Sequence, residues 1–479
     1  MKKTIKFSLF FKNFFYVTFG NVFAQLMNFL VTIYMARKFG PADFGIINFT
    51  NILVTYFYAA SCMGLPGLGL IEVNKKFKSM KKTVDNILSL RIIISVIVFL
   101  LLIIVTLLIR RNIVYKMMII INGLTLLAAS FYLDWVFSGL QQMKYNSISV
   151  IIKNLVYSIL LIIVLYFNIY DSIYIVPISL TIGTAIASVY LLRVYLKKYK
   201  LGFNFSVSKK EAKYFLGNSW PFYFNGLFAL INLNMDTILL EILKGDYYVG
   251  LYNSVYRIAS ALILCIGFIY IPLYPIIIKS FNEGKSQLLS KIINKLRKLI
   301  ITISVPLAAG SIILKNQAMI TIYGKEYAKA GNTFMILMLY TSLLFVREIY
   351  GYELNSWGLQ KKYMKSVMIS AFYNIVSNLI IIPFFGIEGA AFNTLISEII
   401  NYTMMKHYSR KKMKIKYENK YILKILISTA VMASVIIILK AVTLNAVYLA
   451  ALGAAAYGCL VFGLKIFTIS EIKDMMIIK

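Results

Sequence analysis

The residues best able to do chemistry in this sequence are ionisable side chains set within long apolar runs: Asp134, Lys153, Asp236, Arg257, Arg347 and Glu348, with Glu353 about a turn further along. A charge at the centre of a hydrocarbon layer costs about 3 kcal/mol even on the mildest scale, so such a side chain faces a hydrated cavity or a partner rather than lipid. Lys153, Arg257 and Arg347 would attract an anion such as a pyrophosphate or an acidic sugar. Arg is suited to forked hydrogen bonds on phosphate oxygens. Asp236 and Glu348 could carry a coupling cation, H+ or Na+, and Asp134 with Asn154 would add polar lining to the same cavity. Asp134 and Lys153 lie at matched depth, as do Asp236 and Arg257, so each pair reads either as a helix-locking salt bridge or as two cavity groups. Asn374, Asn378 and the other asparagines of these runs read as hydrogen-bonding glue between helices. Arg91 and Lys424 stand so near the inner ends of their runs that snorkelling to the interface explains them.

The elements that must position these residues are membrane spans. The chain is 60% hydrophobic with a mean hydropathy of +0.77, well above the roughly 45–50% apolar usage of soluble domains. Apolar runs of about twenty residues recur from near Phe14 to near Ile466, each long enough to cross a hydrocarbon core of about 30 Å. The expectation is an all-α integral membrane protein of about fourteen transmembrane helices. A net charge of +33 raises the question of nucleic acid, but the basic residues alternate by side. They concentrate in Lys75, Lys76, Lys78, Lys81 and Lys82, in the stretch from Lys197 to Lys213, and from Arg410 to Lys416. That is the positive-inside pattern: basic loops against anionic lipid, no nucleic acid, and both termini cytoplasmic in an inner (plasma) membrane. The apolar stretch after Lys12 is longer than a signal-peptide core and reads as a retained first helix.

Enzyme signatures are missing. The sole histidine, His407, lies in a basic loop, Cys62, Cys265 and Cys459 have no metal or redox spacing, and there is no phosphate-binding loop of the Gly-x-x-x-x-Gly-Lys-Ser/Thr type. No catalytic residue, cofactor or metal is expected. A membrane polymerase or ligase would need a large extramembrane loop, and every connection here is short.

Two short matches suggest duplication. Ser138-Gly139-Leu140-Gln141 is echoed by Trp357-Gly358-Leu359-Gln360, and Asp43-Phe44-Gly45-Ile46 by Tyr248-Val249-Gly250-Leu251. The expected organisation is an N-lobe of six helices (1–196), a cytoplasmic linker (197–216), a C-lobe of six helices (217–405) and two further helices with a tail (406–479). Lobes of even span count share one orientation, a parallel repeat with a cavity between.

The sequence resembles the polysaccharide-transporter, or O-antigen flippase, branch of the multidrug/oligosaccharidyl-lipid/polysaccharide exporter superfamily. The resemblance runs nearly end to end. It rests on Ala36-Arg37-Lys38-Phe39-Gly40-Pro41 with Phe44-Gly45, on Asp134-Trp135-Val136-Phe137-Ser138-Gly139-Leu140, on Asp236 to Leu240 followed by Val249-Gly250-Leu251-Tyr252, and on Gly386-Ile387-Glu388-Gly389-Ala390-Ala391 with Ser397-Glu398. It implies two six-helix lobes in a V, alternating access, and a substrate of oligosaccharide units on undecaprenyl pyrophosphate, with glycan polymerases as partners. It also places an acid at the position of Asp236. Ser138 and Gln141 depart from the family pattern, which tends to carry Gln and Glu around that glycine. Alternatives are a cation-coupled multidrug exporter, a flippase for the peptidoglycan lipid precursor, and a membrane polymerase or ligase of the same glycan pathway.

Overall fold

The computed structural model describes residues 2–75, 80–200, 202–205 and 207–467, apart from the side chains of 2–15, 265, 268, 271 and 272. Lys76, Lys78, the side chains of Lys12, Cys265 and Pro272, and the tail beyond Phe467 therefore lie outside the described residues. Within them every regular element is a helix, and eleven helices are long and apolar enough to cross a membrane. Two of these, α1 (Lys2–Cys62) and α12 (Gln360–Lys412), are interrupted at Gly40 (φ 75°) and Gly386 (φ 54°). Glycine reaches this left-handed region without a Cβ penalty, so adjacent spans join there through one residue and no loop. Pro41 follows Gly40 at the first position of the second arm, where its missing N–H costs nothing. Eleven is fewer than the expected fourteen; dividing α1 and α12 at these glycines and counting α9, which is 37 residues long, would make up the difference.

Packing divides the chain into two compact units, Met1–Met235 and Asp236–Lys479. The first contains both arms of α1, then α2 (Leu65–Lys75), α3 (Met80–Leu108), α4 (Ile113–Ser130), α5 (Asp134–Gly139), α6 (Met143–Tyr166), α7 (Ile175–Tyr199) and most of α8 (Lys209–Lys244). Here α1 packs on α6, α6 on α7, and α4 on both α3 and α7. Lipid is as apolar as leucine, so close packing and hydrogen bonding drive such contacts. Buried Ser89, Ser149, Ser158, Ser179 and Ser188 accordingly sit among larger residues. The expected linker is part of this unit's core, with Phe203, Val207, Ala212, Phe215 and Leu216 packed around Ile87, Trp135 and Leu191.

The second unit contains the end of α8, α9 (Asp246–Asn282), α10 (Ser286–Tyr323), a short 3-10 turn (Lys325–Ala330), α11 (Gly331–Ser356), α12, α13 (Ile422–Leu439) and α14 (Ala446–Gly463). Helix α11 is central, packing on α9, α10 and α12, while α13 and α14 pair with each other and both lie against α10.

Candidate functional site

In the second unit, the kink at Gly386 does what a straight helix could not. Asn378 and Asn393 are fifteen residues apart on α12, about 22 Å along an ideal helix, yet Asn393 Nδ2 donates to Asn378 Oδ1 at 2.9 Å. The two arms thus meet side by side around Asp236 from α8. Asn378 Nδ2 donates to Asp236 Oδ1 at 2.7 Å, and Tyr252 of α9 donates its hydroxyl to Oδ2 at 2.8 Å. Thr394 Oγ1 lies 2.9 Å from both Oδ2 and the Ala390 carbonyl. Asn374 Oδ1 receives a second bond from Asn378, and Asn393 Oδ1 is buried without a partner. The carboxylate is therefore held by neutral donors in a nest rich in oxygen. Among the described residues no ion pair joins Asp236 to Arg257. Arg257 is instead exposed on α9, in the electrostatic reach of Tyr256 and Tyr323.

Arg347 and Glu348 occupy the middle of α11, and the sequence reading missed their third member. Arg347 Nε bonds Glu398 Oε1 of α12 at 2.7 Å, and its Nη1 bonds Glu348 Oε1 at 2.7 Å. Glu398 meets the same criterion, an ionisable side chain within a span, that singled out the others. Glu353, 1% exposed, accepts from Ser409 and lies 3.5 Å from Arg410 Nη2, tying the C-terminal part of α11 to the end of α12.

In the first unit, Lys153 and Asn154 line a polar cavity of about 280 Å³ with Asn51, Tyr58, Asn122 and Thr125. Lys153 is the charged residue in that lining. Asn122 Nδ2 donates to Asn51 Oδ1 at 2.7 Å, and Asn154 folds back on the Val150 carbonyl at 2.7 Å. Asp134 opens α5, a favourable end for a negative charge. It feels Arg91 more strongly than Lys153, and among the described residues no ion pair joins it to Lys153.

The snorkelling reading of Arg91 needs correction. Arg91 is 2% exposed, and its fork donates to the Ala129 and Tyr132 carbonyls, both at 2.7 Å. These carbonyls lie at and just beyond the C-terminal end of α4, where Ala129 also accepts turn bonds from the Phe131 and Tyr132 N–H groups. A cation there also meets the negative end of the helix dipole. Lys424 does the same in the open, donating to the Leu464 carbonyl at the end of α14 at 2.9 Å. Arg91→Ala should therefore lower stability by about 3 kcal/mol, two charge-assisted bonds being lost. Thermal unfolding in detergent measures this, and Arg91→Lys should recover only part because it lacks the fork.

Comparison with known proteins agrees with this layout. A family model described as "Polysaccharide biosynthesis protein" matches residues 10–281. The chain is 24% identical over 202 residues to the "Probable low-salt glycan biosynthesis flippase Agl15" of Haloferax volcanii, a match covering 42% of this chain and 43% of that relative. It is 23% identical over 400 residues to the capsular polysaccharide biosynthesis protein CapF of Staphylococcus aureus, covering 81% of this chain and 96% of the relative. Among solved structures it is similar to the lipid II flippase MurJ in an inward closed conformation, with TM-score 0.72 at 14% identity over 96% of this chain and 99% of that one. It also resembles an inward-facing multidrug resistance MATE family transporter of the MOP superfamily, with TM-score 0.62 at 13% identity over 81% of this chain and 94% of the other. At such identities these likenesses speak for the fold. With a family model spanning more than half of its length, on a transporter fold, this multi-pass membrane chain belongs to the polysaccharide biosynthesis protein family.

Proposed function

We propose that this protein is a flippase that carries a polyprenyl-pyrophosphate-linked oligosaccharide from the cytoplasmic to the outer leaflet for surface polysaccharide synthesis. The family match carries the reading, and relatives named for glycan flipping and capsule synthesis support it. Lys153, in its polar cavity, and Arg257, exposed on α9, are the side chains assigned to the diphosphate or to acidic sugars. The nest at Asp236 supplies carboxylate, amide and hydroxyl oxygens, the ligand type of hard cations, and one carboxylate suits a single charge, H+ or Na+. No chemical step on the glycan is assigned to this chain.

The test is purified protein in liposomes with a polyprenyl-pyrophosphate oligosaccharide loaded in one leaflet, followed by its exposure to an impermeant periodate reagent. Transfer is expected, and Lys153→Gln together with Arg257→Gln should slow it by more than about tenfold, equivalent to about 1.4 kcal/mol of lost anion attraction. Export of cationic drugs without transfer of the glycan lipid would replace this reading with the multidrug one.

Orientation follows from charge. Reporter fusions should place both termini and the stretch from Lys197 to Lys213 in the cytoplasm. A periplasmic signal from that stretch would invert the direction of transport assigned above.

A further inference from the structure

Helix α10 changes character along its length, and α13 and α14 change with it. At its start, Lys291, Lys295 and Lys298 converge with Lys420, Lys424 and Lys465 on a pocket of about 300 Å³ whose one acid among the described residues is Glu418. The pocket is built rather than incidental. Asn294 bonds the Lys416 carbonyl at 3.0 Å and accepts from the Glu418 N–H at 3.1 Å, and Arg297 bonds Asn419 Oδ1 at 2.9 Å, so the chain leading into α13 is fastened to α10. Lys424 is held by the Leu464 carbonyl, and Lys298 lies over the Phe467 ring at 4.5 Å. Glu418 pairs with Lys420 at 3.3 Å, which leaves five further ammonium groups without a carboxylate among the pocket's described residues, and an anion at their centre relieves their repulsion.

One turn beyond Lys298 the surroundings become apolar. Thr302 Oγ1 bonds the Lys298 carbonyl at 2.8 Å, and Tyr457 of α14 bonds the Thr302 carbonyl at 2.8 Å, so both polar side chains at the boundary are satisfied. Above them the same three helices, joined by α9 and α11, line a cavity of about 690 Å³ walled by residues such as Leu262, Leu307, Leu314, Phe345, Met432 and Ile436. Both spaces lie within the second unit. A basic pocket and an apolar cavity in succession along α10, α13 and α14 match an amphiphile with an anionic head.

We propose that this seam binds one anionic phospholipid, its phosphodiester among the lysines at the start of α10 and one acyl chain between α10, α13 and α14. The site is separate from the nest at Asp236 and from Lys153, and it does not depend on what is transported. The expected orientation puts its lysines in the cytoplasmic leaflet, where anionic headgroups concentrate.

The experiment uses the full chain, delipidated in detergent and returned to nanodiscs or micelles of defined lipid. Phosphatidylglycerol should be retained in native mass spectra as a discrete adduct and should raise the melting temperature, whereas phosphatidylcholine with the same chains and millimolar inorganic phosphate should do neither. Lys291→Gln, Lys295→Gln and Lys420→Gln combined should weaken phosphatidylglycerol binding by about a hundredfold, from roughly one lysine's worth of surface attraction each. The control is Lys361→Gln, Lys362→Gln and Lys365→Gln, the same charge change on exposed positions of α12, and it should bind as the parent does. Equal loss in both triples, equal retention of phosphatidylcholine, or saturation by inorganic phosphate alone would each overturn the proposal. The lipid comparison on the unsubstituted protein decides the matter if the first triple does not fold.

Discussion

Replacing Arg347 with Ala should cost about 3–5 kcal/mol of stability, because it strands Glu398 in a buried position without its counter-charge. The Glu398 side chain is 7% exposed, whereas that of Glu348 is 25% exposed and keeps some contact with solvent. The loss should therefore trace mainly to Glu398. Arg347→Met combined with Glu398→Gln removes both members of the tighter pair and should regain most of the stability, since replacing a buried ion pair by groups of similar volume is often near neutral. Thermal unfolding in detergent, with the folded amount in membranes as a second readout, measures both. An Arg347→Ala protein as stable as the parent would show that the triad does not lock α11 to α12. It would also free Arg347 to serve as an anion contact.

Asp236→Asn should leave the folded amount close to that of the parent while transport falls by more than about tenfold, equivalent to about 1.4 kcal/mol. It should also stop responding to the ion gradient. The amide oxygen of Asn can still accept from Tyr252 and Thr394, and if Asn378 and Asn393 turn their amides together, Asn378 presents its oxygen to the new NH2 and the otherwise unpartnered Asn393 Oδ1 accepts from Asn378, so the hydrogen bonds survive the substitution. What disappears is the only formal charge in the nest. Asp236→Ala, by contrast, leaves Tyr252 and one Asn378 N–H without their acceptor, while Thr394 falls back on the Ala390 carbonyl, and should lower stability as well, by about 1–3 kcal/mol for each buried group left unsatisfied. Transport by Asp236→Asn with its gradient dependence intact would remove Asp236 from coupling and leave it as a brace between α8, α9 and α12.

The helices were legible in the sequence because hydropathy reports how long a segment can remain out of water, and that is a local property. Gly40-Pro41 and Gly386 were visible as boundaries between spans, although nothing in the pattern says that each join is made by one residue. Asp236 stood out because burying a carboxylate is costly, but its partners did not. Depth along a span was the available guide to pairing, and depth fixes height without fixing which way around the helix a side chain points. Asp236 and Arg257 match in height and form no ion pair, while Asn378 and Thr394 reach Asp236 from 142 and 158 residues away, on a helix folded back upon itself. Arg91 misled for a related reason. Position near a span end suggested water as its partner, and the carbonyls at the end of α4 can be assigned to it only once α3 and α4 are known to lie together.

The burial of Arg91 also bears on how the chain enters the membrane. Until α4 is present, the guanidinium on α3 has no carbonyls to meet and must stay at the interface or in the insertion channel. Its fork closes on Ala129 and Tyr132, residues made some forty positions later. Helix α3 therefore cannot reach its final depth alone. The two helices are expected to settle together as a hairpin, the Arg91 contacts closing only after Tyr132 has been made.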